Sequence, residues 1–329
     1  MKKTAISALF ALLLTAGLPV AACAQELVVG GQIVGIQVST EGVLVAEIGA
    51  VDTAEGRRSP AEEAGLKQGD LILEAGGVTL EDAGALIDTV RGLDGAPVDL
   101  LVRREGRELP LTVTPARSAE GQWMLGMFLR DGISGIGTVT YYDPEAGSFG
   151  ALGHSISDGE GGLLLPLEKG SITDAEVLSV TPGAAGAPGE LNGCSDLSRV
   201  LGSVDQNTEH GIYGHLYSFP GGRLVETGEL HLGSASILST VNGRQVQEFD
   251  AQITRIYKDS EGEHVMLSVT DPELKARTGG IVQGMSGSPI LQDGRLVAAV
   301  THVFVSDPTR GYGISIRDML QAAQRAQAA

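Results

Sequence analysis

Positive charge is scarce in this 329-residue chain: 23 Lys and Arg stand against 41 Asp and Glu, a formal net charge of −18. So acidic a chain is repelled by polyanions, which excludes nucleic acid and anionic lipid as expected partners. Cysteine is nearly absent. Cys23 falls in the N-terminal segment, which leaves Cys194 alone and no internal disulfide to form. No basic neighbour would lower the Cys194 pKa, so a packed structural thiol is expected there rather than a redox nucleophile. Aromatics make up only 4% of the chain, while 47 glycines cut its Val-, Ile- and Leu-rich runs into short pieces. That pattern disfavours an all-helical bundle and points to β structure with many tight turns. Metal-ligand spacing is also lacking. His210 and His215 are five residues apart, which does not put both on one helical face, and no Glu lies between them. No metal and no cofactor are expected.

Long apolar runs are missing except at the start, where Lys2 and Lys3 precede the stretch Ile6 to Leu18 and the small-residue exit Ala22-Cys23-Ala24. Residues 1–24 read as an export segment, too short to assign outright as a spanning helix. Three outcomes stay open. They are cleavage before Gln25, acylation at Cys23 through the lipobox-like Val20-Ala21-Ala22-Cys23, and retention as an uncleaved anchor. All three place the remainder outside the cytoplasm.

The length allows two domains beyond this segment. Residues 25–115 read as short strands with two short helices. Ile33 to Val38 and Val43 to Ile48 are expected strands, and Ser59-Pro60 opens a helix that Gly65 stops, with Ser59 as its N-cap. A second helix runs from Leu80-Glu81-Asp82 through Val90. Residues 116–329 carry many short strands separated by turns, and only the stretch from about Ile316 to Ala328 reads as a helix. Crossover helices for a parallel sheet are absent, so a closed or paired β architecture is expected.

The chemistry concentrates in Thr278-Gly279-Gly280-Ile281-Val282-Gln283-Gly284-Met285-Ser286-Gly287-Ser288-Pro289-Ile290. A nucleophilic serine must approach a carbonyl while nearby backbone N–H groups face the developing oxyanion, and flanking glycines permit the tight loop this needs. Ser286 is the candidate nucleophile, and the amides of Gly284 and Ser286 are the candidate oxyanion hole. A lipase-type elbow fits less well, because it needs glycine two residues after the serine and a following helix. Asp293-Gly294 instead signals a hairpin. His154, in Gly150-Ala151-Leu152-Gly153-His154-Ser155, is the candidate general base. For a third member, Asp196 and Asp205 lie between His154 and Ser286 as the chymotrypsin order requires. Asp271 is closer to the serine, and as part of Asp271-Pro272 it also reads as a turn opener.

Two resemblances follow from these residues. The run Ser59-Pro60-Ala61-Glu62-Glu63-Ala64-Gly65-Leu66-Lys67-Gln68-Gly69-Asp70-Leu71-Ile72-Leu73 resembles PDZ domains of bacterial proteases. That implies an extended peptide, or a peptide C-terminus, added as a strand near Gly31, Ile33, Gly35 and Ile36. Phe149 to His154, Asn207 to Gly214, Thr270-Asp271-Pro272, the serine run and Ala299 to Val305 together resemble the SpoIVB family of sporulation serine peptidases. The resemblance implies a mainly β chain, in which a PDZ-like domain is followed by a chymotrypsin-like double β-barrel peptidase domain with a C-terminal helix. It carries over Ser286 as nucleophile, His154 as base and Asp271 as third member. Thr301 and His302 fall on the strand bordering the substrate pocket. It further implies cleavage of a membrane-bound regulator in the space between forespore and mother-cell membranes, which leads to activation of a late sigma factor. Self-cleavage is a related expectation.

Two other functions compete: a PDZ scaffold whose barrel is catalytically silent, and a secreted esterase using the same serine. The intact serine loop and His154 weigh against the first. The hairpin after Ser286 and the peptide-binding module before it weigh against the second.

Overall fold

The computed structural model describes residues 25–157, 164–218 and 222–327, so the export segment lies outside the described residues. The chain opens with β1 (Glu26–Val29) and β2 (Ile33–Ile48). Next come β3 (Val51–Thr53), β4 (Gly56–Arg58), α1 (Pro60–Glu63), β5 (Leu71–Ala75), β6 (Val78–Thr79) and α2 (Ala83–Gly92). After these follow β7 (Val98–Arg104), β8 (Arg107–Val113), β9 (Ala116–Arg117) and β10 (Trp123–Met124). The middle holds β11 (Met127–Asp143), β12 (Ser148–Ala151), β13 (Lys169–Thr181), β14 (Glu190–Thr208), β15 (Gly211–Leu216) and β16 (Leu224–Glu226). The last part is β17 (Gly233–Thr240), β18 (Val246–Lys258), β19 (Glu263–Val269), α3 (Pro272–Thr278), β20 (Pro289–Gln292), β21 (Arg295–Phe304), β22 (Asp307–Ser315) and α4 (Ile316–Gln327).

The expected mainly β architecture with a C-terminal helix is what these elements build. Strands β2, β11, β12, β15, β14 and β13 pair in that order, and β13 returns to β2, closing an antiparallel ring. Its interior takes alternate residues of β2 (Val34, Ile36 and Val38) together with Val139, Phe149, Ile172, Val204 and Ile212, as the two-residue period of a strand requires. A second closed barrel runs β17-β18-β19-β22-β21-β20 around Ile237, Phe249, Ile253, Val265, Leu267 and Ile290. Helix α4 covers it with Ile316, Met319 and Ala322, packed in one cluster with Leu296, Ala299 and Ile314.

The peptide-binding module does not precede the first barrel; it is inserted into it. Residues Val43–Leu44 of β2 pair with β5, while Ile33–Ser39 pair with β13, so one strand serves two cores. β11 follows β2 from Ile48↔Met127 to Ile33↔Thr138 and so returns the chain to the barrel. The expected extent of the module, residues 25–115, is corrected at its start: residues 25–40 belong with the barrel. The two strands expected at Ile33–Val38 and Val43–Ile48 are one, continuing through Gly42, where φ is +74° and a Cβ would run into the Ile72 carbonyl. In the module, α1, the turn after it and α2 pack Ala61, Leu66, Leu86 and Val90 against Val45, Ile72, Leu100 and Val102. Asp82 caps α2 by accepting from Ala85 N. Ser59 does not cap α1; its Oγ donates instead to Gly49 O at 2.7 Å and ties the helix start to the preceding strand.

Candidate active site

The serine loop joins α3 to β20, and its path is set by glycine geometry and backbone bonds. Gly279 ends α3 in the left-handed conformation (φ +77°), and Gly280 follows at φ +138° against the Pro308 carbonyl. Ile281 N then donates to Pro308 O at 2.7 Å. Gln283 is held on both sides, its N donating to Gly189 O and its O accepting from Leu191 N, each at 2.9 Å. Beyond it the carbonyls turn outward onto β11: Gly284 O accepts from Thr138 Oγ1 (2.8 Å), Ser286 O from Thr138 N (3.0 Å) and Gly287 O from Thr140 Oγ1 (2.8 Å). Gly287, at φ +93°, lies so close to the Thr138 carbonyl and Leu152 N that any Cβ would overlap them. With the carbonyls so engaged, the amides of Gly284 and Ser286 donate to no protein acceptor among the described residues. Two unpaired N–H groups beside a serine hydroxyl can receive an oxyanion.

His154 follows β12 through two consecutive left-handed residues, Leu152 (φ +70°) and Gly153 (φ +72°). The non-glycine member costs about 1–2 kcal/mol, and the turn is held by Leu152 N donating to Thr138 O at 3.2 Å. The same Thr138 thus supports both halves of the site. The Nδ1 of His154 lies 2.8 Å from Ser155 O. A carbonyl only accepts, so Nδ1 carries the proton and Nε2 keeps its lone pair. The ring packs against His302, centroids 4.8 Å apart. Burial, then the neighbouring His302, pushes His154 from the usual 6.5 down to about 4, against the opposing pull of the Ser155 carbonyl. Burial also lowers His302. Ser286 Oγ donates to Thr301 O at 2.8 Å, one residue before His302. Ser286, Thr301, His302 and His154 are therefore brought together, although no Ser286–His154 hydrogen bond forms among the described residues.

Asp271 is not brought to this group. One carboxylate oxygen accepts from Glu273 N (2.8 Å) and Leu274 N (2.9 Å), and the other accepts from Asp250 N (3.3 Å), so the carboxylate caps α3. Pro272 after it is the ordinary first helical residue, which is why the Asp-Pro pair serves a helix start. Asp196 accepts from Ser198, and Asp205 pairs with His215 Nδ1 at 2.6 Å, so neither alternative orients His154. The Ser155 carbonyl occupies that role. Cys194, expected to be packed, is exposed on β14.

Gly31, Ile33, Gly35 and Ile36 do not form a peptide site. From Ile33 to Ser39, β2 is bonded to β11 on one edge and largely to β13 on the other, and Gly31 is enclosed by Val246 and Leu238. An apolar groove of about 330 Å³ lies instead between α2 and residues 122–129. Leu86, Ile87 and Val90 line one wall, and Trp123, Met124 and Phe128 the other. Phe128 is 62% exposed and, with Met124 and Ile87 also exposed beside it, gives the groove an apolar rim. The edge of Met127–Arg130 opposite β2 pairs with no strand among the described residues. The strand facing the helix comes after it in the chain, so reading for a strand before the helix missed it. The cue was Met124-Leu125-Gly126-Met127, whose Gly126 has φ +75°.

Sequence reading also missed Thr138 and Thr140, buried polar residues alternating on one face of β11, and Asn207. The Asn207 side chain accepts from Ile156 N and donates to Ile156 O and Leu165 O, clasping the segment after His154. Its place in Asn207 to Gly214 was a usable signal.

The profile of the SpoIVB peptidase S55 family matches residues 121–320, and that of a PDZ domain matches 51–104. Serine protease HTRA1 of Xenopus tropicalis is 39% identical over 57 residues, 17% of this chain and 12% of that protein. Zinc metalloprotease RasP of Geobacillus kaustophilus is 36% identical over 63 residues, 19% of this chain and 15% of that protein. The chain spans less than a sixth of the length of these curated relatives. Among solved structures, an inactive form of Rv3671c from M. tuberculosis H37Rv aligns with TM-score 0.36 and 13% identity over 59% of this chain and 82% of that one. The active form of that protease aligns at 0.35 and 13%, over 59% and 74%. With more than half of its residues matched by one family profile, and a PDZ profile matched ahead of it, the chain belongs to the SpoIVB peptidase S55 family.

Proposed function

We propose that Ser286 is the nucleophile of an exported endopeptidase that cleaves a membrane-associated regulatory protein, and itself, in sporulation signalling leading to late sigma-factor activation. The reading rests most on one observation: among the described residues the amides of Gly284 and Ser286 meet no acceptor beside a serine hydroxyl, and His154, with Nδ1 on the Ser155 carbonyl, has no partner on Nε2 in the same cluster. Ser286 Oγ leaves Thr301 O, passes its proton to His154 Nε2 and bonds to the scissile carbonyl carbon. The carbonyl oxygen takes the negative charge between the two amides. His154 then gives the proton to the amine as the C–N bond breaks; water, deprotonated by the same Nε2, adds to the acyl carbon, and Nε2 passes that proton to Ser286 Oγ as the acyl group leaves as the carboxylic acid. The Ser155 carbonyl keeps Nδ1 protonated and the ring in the useful tautomer. An extended peptide adds to the open edge of Met127–Arg130 and lays apolar side chains on Phe128 and Ile87. In this reading the peptidase works outside the cytoplasm, between the forespore and mother-cell membranes.

The bond from Ser286 Oγ to Thr301 O favours one second reading, a peptide-binding protein whose serine stays idle. Cleavage of an unstructured protein by the full chain, beside Ser286→Ala and His154→Ala, separates the two. The peptidase reading expects a loss of about 10⁴-fold or more in each variant, with an unchanged circular dichroism spectrum. Equal activity in all three chains sinks the proposed pair.

A further inference from the structure

We infer that the site cleaves after glycine or alanine and rejects larger or charged acyl-side residues, with Ile281 and Val303 setting that limit. The inference rests on Ser286 being the nucleophile. A substrate carbonyl seated at Ser286 Oγ, with its oxygen between the Gly284 and Ser286 amides, fixes the Cα of the acyl-side residue one bond away. The chain leading to that carbonyl has an open strand edge to follow. Beyond Thr301, β21 bonds to β22 on one edge (His302↔Tyr312, Val303↔Gly311), while β20 reaches only Arg295 to Ala299 on the other. An extended peptide on that open edge directs its last acyl-side side chain between Val303 and the run Ile281–Gly284.

That space is already filled. Ile281 is 2% exposed, and a Cβ placed on Gly311 would meet Ile281 Cδ1 at 2.5 Å, so the isoleucine lies flat on β22. The backbone leaves no gap beneath it, because Ile281 N bonds Pro308 O and Gly280 abuts the same carbonyl. Val303 packs into the same apolar cluster as Ile281, Val282 and Leu191. The tip of the β13–β14 hairpin closes the far side through Gly183 N to Thr278 O and Gly186 N to Val305 O, each 2.8 Å, with Gly189 against Val282. Apart from Gln283, these walls are aliphatic or glycine and none of them carries a charge, so a charged side chain would enter without an ionic partner. What remains accommodates a hydrogen or a methyl group.

The test uses peptides that differ only in the acyl-side residue (Gly, Ala, Val, Leu, Phe, Lys), together with mass spectrometry of an unstructured protein digested by the full chain. One methylene is worth roughly 10- to 200-fold in a shaped pocket. Ala is therefore expected to exceed Leu and Phe by about 100-fold or more in kcat/KM. Ile281→Ala opens the floor. Because Ile281 is a core residue, Val303→Gly, at a partly buried strand position, is the second variant. Either one lowers the Ala-over-Leu ratio to below about tenfold. Cleavage after Leu, Phe or Lys at rates equal to Ala in the unaltered chain overturns the inference, as does a ratio unchanged in a folded Val303→Gly protein. Cleavage that survives Ser286→Ala removes the nucleophile on which the inference stands.

Discussion

The serine and the histidine of this site rest on different kinds of support. Four of the five residues from Gln283 to Gly287 are pinned from outside: Gln283 by Gly189 and by Leu191 of β14, and Gly284, Ser286 and Gly287 by Thr138 and Thr140 of β11. His154 stands at the end of a two-residue left-handed turn, and its ring is held by one carbonyl and one neighbouring ring. On the proposed reading, the oxyanion donors are thus built in advance, whereas the hydrogen bond from serine to base is left to be made. Catalysis gains most from donors that need no reorganisation, while a side-chain rotation of serine or histidine crosses only a small barrier. The difference assigns rigidity to the barrel 2 loop and adjustability to the barrel 1 turn.

The sharpest way to break that comparison is Gly287→Ala. The added methyl overlaps the Thr138 carbonyl at a φ that L residues avoid, so the loop must shift and carry the Ser286 and Gly284 amides with it. Activity is expected to fall by about 100-fold or more, the cost of losing an oxyanion donor. Stability should fall by about 1–3 kcal/mol, read from urea unfolding. Near-normal kcat in this variant would mean that the loop adapts as readily as the histidine turn does.

The histidine side is sharpened by pH. Burial depresses His154 to about 4, so the base is neutral and competent from pH 8 down to about 5. The acid limb of kcat/KM, which reports the free enzyme, should then have its midpoint near 4 rather than at the 6.5 of an ordinary imidazole. The stability sign follows the same shift. Between 6.5 and 4 the unfolded chain takes up a proton that folded His154 refuses, so this residue's contribution to stability declines as pH falls through that window. A limb near 6.5 would show that the ring spends its working life exposed, away from His302.

These features were unequally legible in the sequence. The serine loop could be read because its glycines and the Asp293-Gly294 hairpin are local signals, each fixed by residues a few positions away. The mainly β class followed from short aliphatic runs for the same reason. The insertion of the PDZ module could not be read, since it depends on β2 pairing with β11 across some ninety residues and on Gly42 bending one strand into two cores. Thr138 escaped for a related reason. A threonine in a strand looks like β propensity until the chain 146 residues later brings Gly284 O to its hydroxyl.

Asp271 is the instructive case, because one residue pattern supports two chemistries. An aspartate before a proline can open a helix or can face a histidine, and only the partners decide. Here its oxygens are taken by the amides of Glu273, Leu274 and Asp250. The two roles differ in what removal does. An aspartate that orients a catalytic imidazole is worth about 10⁴ in kcat, whereas a helix cap is worth about 0.5–2 kcal/mol of stability and little rate. Asp271→Ala is therefore expected to lower the urea midpoint while leaving kcat/KM within about threefold, since the Ser155 carbonyl continues to hold the tautomer. A fall of three orders of magnitude in a chain that is still folded would show that α3 moves its cap toward His154 when substrate binds, and would transfer the adjustability assigned to the histidine turn to the other barrel.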